Sequence, residues 1–209
     1  MGAAQKIAAA YPKAGMALSR EIVKVAQRVG AHPYDLANLI NFESAGTFST
    51  SVKNKYSGAT GLIQFMPKTA KSLGTTTEAL ARMSQVEQMQ WVEKYLRQFS
   101  SPKNTVQSLF MAVFYPVAMK WPLDKEFPSN VQRWNPGITT VRSYVAVALR
   151  NAKLPSSEDV GSAPLETLPF ALTKRASKTV PQWVWITTAV GMATAILLLL
   201  RRPQTKSSN

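Results

Sequence analysis

The chain has 209 residues, room for one ordinary domain and an appendage but not for two comfortable domains. It has no cysteine and a single histidine, His32, which excludes disulfides and thiolate metal sites and leaves little basis for a histidine triad or a zinc cluster. Chemistry of a hydrolytic or lyase type would therefore have to work mainly through carboxylates. The net charge of +14 is unevenly spread: residues 1–155 carry 19 Lys/Arg against 8 Asp/Glu, a net of +11, while residues 174–209 carry six bases and no acid. A basic body favours polyanionic partners such as nucleic acid, anionic lipid or a carboxylate-rich cell wall. Its bases are scattered instead of forming one dense motif, so no specific nucleic-acid partner is expected.

Along the chain, the N-terminus shows no apolar run of signal-peptide length, since Lys6, Tyr11, Pro12 and Lys13 interrupt it. Pro33 suits the first position of a helix, with Leu36, Leu39 and Ile40 forming an apolar stripe at 3.6-residue spacing. Ser84 and Glu87 have capping-box spacing ahead of Met89 and Leu96. Thr105 can cap a helix through Leu109, Phe110 and Val113, which Pro116 should end, and a last helix is predicted from Thr140 through Tyr144, Val145 and Ala148. No run of alternating strands is evident, so the fold class is mainly α, with the domain placed at residues 1–153.

Residues 154–179 read as a flexible linker, with Pro155, Ser156, Ser157, Pro164 and Pro169. Trp183 to Leu200 is an uncharged stretch of 18 residues, edged by Trp183 and Trp185 on one side and by Arg201 and Arg202 on the other. At about 1.5 Å per residue such a helix approaches the thickness of a bilayer's hydrocarbon core. The sequence thus predicts a transmembrane helix at 180–202, a lipid membrane as partner, and a short basic tail at 203–209. Gly191 and Ala195 form a small-xxx-small pair, which points to a homo-oligomer through that helix. Flanking bases number three on each side (Lys174, Arg175, Lys178; Arg201, Arg202, Lys206), so they set no orientation.

Glu43 falls seven residues after Leu36, on the stripe of Leu39 and Ile40, with Gly46 following close behind. A carboxylate on a core-facing stripe near a helix C-terminus is disfavoured as an anion by desolvation and by the helix's partial negative end. Such a group can hold a proton near neutral pH and give it to a leaving oxygen. On periodicity alone a helix-end glutamate that reaches solvent is the commoner outcome.

The neighbourhood reverses those odds. Asn41-Phe42-Glu43-Ser44-Ala45-Gly46, followed by the segment from Ser57 through Gly58-Ala59-Thr60-Gly61-Leu62-Ile63-Gln64-Phe65-Met66-Pro67 to Ala70, resembles the soluble lytic transglycosylase family. That family has a Glu-Ser pair and, after a loop, a Gly-Ala-x-Gly-Leu-x-Gln-x-Met-Pro-x-Thr-Ala segment. The best-matching block covers residues 41–70, weaker similarity extends to about residue 150, and Leu109 to Pro116 looks like a phage-type variant of the family's Ala-Tyr-Asn-Ala-Gly helix. The resemblance implies a lysozyme-like, goose-type helical domain with Glu43 as catalytic acid and base. It also implies that Ser44 positions the carboxyl group, that Ser57, Gln64 and Met66 line the sugar cleft, and that Gly58 and Gly61 let the backbone approach the glycan. Tyr115 is the candidate for the family's site tyrosine, although a gapless alignment puts Phe114 there.

A glycosidase ordinarily uses two carboxylates, and near Glu43 the sequence offers no obvious second one; Asp35 and Asp124 are the fallbacks. The resemblance implies one-carboxylate cleavage of the MurNAc–GlcNAc bond in peptidoglycan strands, closing a 1,6-anhydro ring without water and with no metal and no organic cofactor. A water-using muramidase, a host lysis enzyme and a non-catalytic virion component stay as alternatives. With a tail anchor and no export signal, the expected location is a single-pass membrane protein of a virion's internal membrane, opening the wall as a phage delivers its genome, or else the bacterial cell envelope.

Overall fold

The computed structural model describes residues 1–157. Among them are nine α-helices and two 3₁₀ turns, with only isolated bridges between extended residues, at Lys53–Thr60, Thr60–Phe65 and Glu126–Thr140. The helices are α1 (Ala3–Ala10), α2 (Gly15–Val29), α3 (Pro33–Glu43), α4 (Pro67–Leu73), α5 (Thr77–Ala81), α6 (Gln85–Leu96), α7 (Val106–Phe114), α8 (Ser129–Trp134) and α9 (Val141–Leu149). Their starts follow the capping chemistry of the sequence. Ser84 and Glu87 form the reciprocal capping box of α6, and Thr105 and Thr140 accept from the backbone at the third position of α7 and α9. Tyr115 ends α7 and Pro116 starts the 3₁₀ turn after it.

Helix α3 is the centre of the domain. Helices α1, α2, α7 and α9 pack around it, and all residues from Asp35 to Glu43 are buried. The apolar stripe made it look amphipathic; in fact its polar side is covered too. A helix enclosed on every side must satisfy its polar residues internally. Asn38 does so by donating to the Leu154 carbonyl at 3.0 Å and accepting from the Tyr11 hydroxyl at 2.6 Å, and Asn41 donates to the Asn151 carbonyl at 3.3 Å. The Tyr11 hydroxyl in turn accepts from the Lys153 amide at 2.8 Å. Asp35 accepts from the backbone amide of Ser157 at 3.1 Å and from its hydroxyl. The start of the predicted linker is therefore folded against the domain, with Leu154 in its core.

The membrane expectation is corrected. Among the described residues no helix is long and apolar enough to cross a membrane. The longest, α2, has 15 residues and carries Arg20, Glu21, Lys24 and Arg28; at ~22 Å it is shorter than the roughly 30 Å of hydrocarbon it would have to span. The predicted span at 180–202, with Gly191 and Ala195, lies outside the described residues. The fold is mainly helical among the described residues, and none of their helices supplies the span on which a single-pass placement in a virion membrane or a cell envelope was expected.

Candidate active site

Glu43 is the last residue of α3, and the chain turns sharply after it. Ala45, Gly46 and Phe48 all take left-handed backbone angles (φ 52, 71 and 53°), and the Gly46 amide returns to the Asn41 carbonyl at 2.7 Å, closing the helix end. Ser44 is fully buried, and its hydroxyl accepts from the Phe48 amide at 2.9 Å. It stitches the turn that fixes where Glu43 leaves the helix.

The chain then forms a hairpin-like loop over residues 52–65. Asn54 organises its tip, its side-chain oxygen accepting from the amides of Tyr56 at 2.9 Å and Ser57 at 3.1 Å. Gln64 sits at φ 54° and donates its amide hydrogens to the carbonyls of Val52 at 3.2 Å and Gly61 at 3.1 Å. Behind the loop, buried Gln88 of α6 accepts from the Leu62 amide at 2.7 Å and donates to the carbonyls of Leu80 at 2.7 Å and Thr50 at 3.1 Å. Gly61 makes this approach possible. At φ 88° a side chain is strained, and a Cβ there would lie 2.3 Å from the Gln88 side-chain oxygen.

These segments enclose a cavity lined by Glu43, Ala45, Val52, Lys53, Asn54, Lys55, Tyr56 and Gln64. Glu43 and Gln64, the two residues the sequence motif singled out most strongly, thus share one recess. Ser44, Ser57, Met66 and Tyr115 are not among its walls. The Ser57 hydroxyl accepts from the Ala59 amide at 3.3 Å within the loop, and Met66 is the buried residue preceding α4. Tyr115 packs edge-on to Trp121 and Phe127, with centroids 5.8 Å from each.

Glu43 is only 5% exposed. Burial raises its carboxyl from the ordinary 4.5 to about 8, and a hydrogen bond from the Tyr144 hydroxyl, at 3.4 Å, pulls weakly the other way. Tyr144 is itself buried beside that carboxyl and holds its proton well above the usual phenol range, so it is the donor. Its ring is clamped by a stacked Phe114, with centroids 4.0 Å apart, and by Phe42 edge-on at 6.0 Å. The side chain at position 114 therefore reaches the catalytic candidate through Tyr144, whereas that at 115 packs elsewhere.

The sequence showed Tyr144 as one more apolar position on the α9 stripe; nothing local marks its hydroxyl as a partner of a residue 101 positions away. Val52, Lys53, Asn54, Lys55 and Tyr56 were also not picked out as wall residues. Among the described residues no second carboxylate lines the cavity. Asp35 lies at the far end of α3, about 12 Å away along the axis and bonded to Ser157. Asp124 is 78% exposed and paired with Arg142 at 2.7 Å. Among the described residues no group of three or more His, Asp or Glu side chains is placed to hold a metal ion. No protein-family model, curated protein or solved structure matches this chain.

Proposed function

We propose that the protein is a peptidoglycan lytic transglycosylase with Glu43 as its acid and base. The observation that carries this reading is a carboxyl pushed up to about 8 by burial that is, among the described residues, the one carboxylate lining a cavity it shares with Gln64. The sequence of the Glu43 and Gln64 segments supports the same assignment through its resemblance to that family.

In the proposed reaction, Glu43 gives its proton to the glycosidic oxygen between MurNAc and GlcNAc, and the C1–O bond breaks with the electron pair leaving on that oxygen. The substrate's own N-acetyl oxygen supports the positive charge developing at C1. The Glu43 carboxylate then takes the proton of the MurNAc C6 hydroxyl as that oxygen bonds to C1. This closes the 1,6-anhydro ring and returns Glu43 to its protonated form, with no water consumed. Burial favours the first half by keeping the acid loaded. The Tyr144 hydroxyl favours the second by donating to the carboxylate once it is charged. Hydrolysis by paired carboxylates would need a partner roughly 5–9.5 Å from Glu43, and neither Asp35 nor Asp124 lines the cavity.

The test is digestion of purified cell walls by the wild-type protein and by Glu43→Gln, with mass spectrometry of the released sugar ends. Anhydromuramic ends from the wild type alone are expected. Reducing ends would replace the proposal with a muramidase, and intact walls would replace it with a non-catalytic role.

A further inference from the structure

The cavity that Glu43 lines also has a cationic and aromatic wall. Lys53, Lys55 and Tyr56 line it from the loop over residues 52–65, and their backbone is held by the Asn54 turn, by the pairing of Lys53 with Thr60 and by the Gly61 amide on the Val52 carbonyl at 2.9 Å. Tyr56 is 62% exposed, unusual for a large ring with so many core positions available, and Lys55 places its ammonium 4.8 Å from the ring centre. Among the described residues Lys55 meets no carboxylate. Lys53 does meet one, Glu78 at 3.6 Å, but both of those side chains are more than half exposed, so the pair is weak and readily exchanged. With Glu43 neutral, the described residues lining the cavity include two cations and no anion. Such a wall selects a ligand that brings negative charge and an apolar sugar face together.

Resting on the transglycosylase reading, we infer that this wall is a specificity site for the carboxylates of the peptides carried by the glycan. Lys55 pairs with a peptide carboxylate and the adjoining Tyr56 ring stacks on a sugar, so that peptide-bearing strands are preferred over uncharged ones. The muramic lactyl group is an amide in such strands, which leaves the peptide carboxylates as the anions within reach of the loop. Lys53 adds attraction by exchanging Glu78 for the substrate. The acid at the end of α3 makes the cut, and the loop decides which strands are presented to it.

The experiment measures binding to the full chain carrying Glu43→Gln, so that no turnover occurs. Three probes are used: a GlcNAc–MurNAc tetrasaccharide with its peptides, the same compound with every peptide carboxyl methyl-esterified, and chitotetraose. The charged compound should bind roughly fivefold more tightly than its ester, with the advantage fading as salt rises. Adding Lys55→Gln should remove most of that advantage while leaving the ester and chitotetraose unchanged, and Lys55→Arg should keep it. Equal binding of the charged and esterified compounds would overturn the inference and leave the proposed reaction standing. So would an equal loss for all three probes in Lys55→Gln, which would mark Lys55 as a support of the loop. If none of the three binds the starting protein, the transglycosylase reading itself falls and takes this one with it.

Discussion

Helix α3 carries a buried carboxyl near each end, and the two are treated differently. Asp35, in the first turn, is 1% exposed and accepts from both the amide and the hydroxyl of Ser157. Those bonds oppose the upward push of burial, and they hold the residues following α9 against the domain. Glu43, at the other end, has a single bond of 3.4 Å from Tyr144 and opens onto a cavity. A carboxylate with its lone pairs used inside the fold is a fastener. One that is desolvated, weakly bonded and facing a recess keeps its proton and has somewhere to send it. Burial alone does not make a catalytic candidate; burial with unspent hydrogen-bonding capacity at a recess is what the proposed role of Glu43 rests on.

The largest expected effect comes from breaking the Glu43 end. Glu43→Gln should lower wall-degrading activity by about 10²–10⁴-fold, the usual worth of a positioned acid and base. The same variant should be more stable than the wild type. The unfolded chain releases this proton near pH 4.5 and the folded one near 8, so the folded state binds more protons throughout that window. Glu43 therefore costs nothing below about pH 4.5, costs progressively more as pH rises, and costs most above 8. Melting curves of the two proteins should coincide near pH 4 and separate by several degrees, about 5 °C or more, at pH 8. Asp35→Ala should behave in the opposite way, losing roughly 1–2 kcal/mol of stability while keeping the pH profile of activity. Thermal melts and the rate profile of that variant check both halves.

Smaller effects sharpen the comparison. Gly61→Ala forces a side chain into a left-handed position against Gln88. It should cost about 1–3 kcal/mol and lower activity through the cavity wall, which melting and turnover measured together would show. Tyr144→Phe removes the one bond that draws the Glu43 carboxyl down. The descending limb of kcat/KM, expected near pH 8, should shift to higher pH with only a modest loss at its plateau.

Much of this was legible in the sequence for local reasons. Ser84 with Glu87, Thr105 and Thr140 are caps whose partners lie three residues away, and each starts the helix it was expected to start. Glu43 was legible because the Leu36, Leu39 and Ile40 stripe, ambiguous by itself, is joined by the Glu-Ser pair and the glycine-flanked Gln64 segment. What stayed hidden depends on distant segments meeting. Nothing local shows that Asn38 and Asn41 bind the carbonyls of Leu154 and Asn151. Nor does anything local mark Gln88 as the support under the Gly61 turn. The apolar run near the C-terminus was read from hydropathy and lies outside the described residues, among which no helix is long and apolar enough to cross a membrane.

The central claim is that Glu43 holds its proton at neutral pH. The direct measurement is a pH titration of the protein with carbon-13-labelled glutamate side-chain carboxyls, the Glu43 resonance being assigned by its absence in Glu43→Gln. A midpoint near 8, far from the other glutamates, is the predicted result. A midpoint near the ordinary glutamate value of about 4.3 would contradict the account, because the residue would then be an anion with no proton to give.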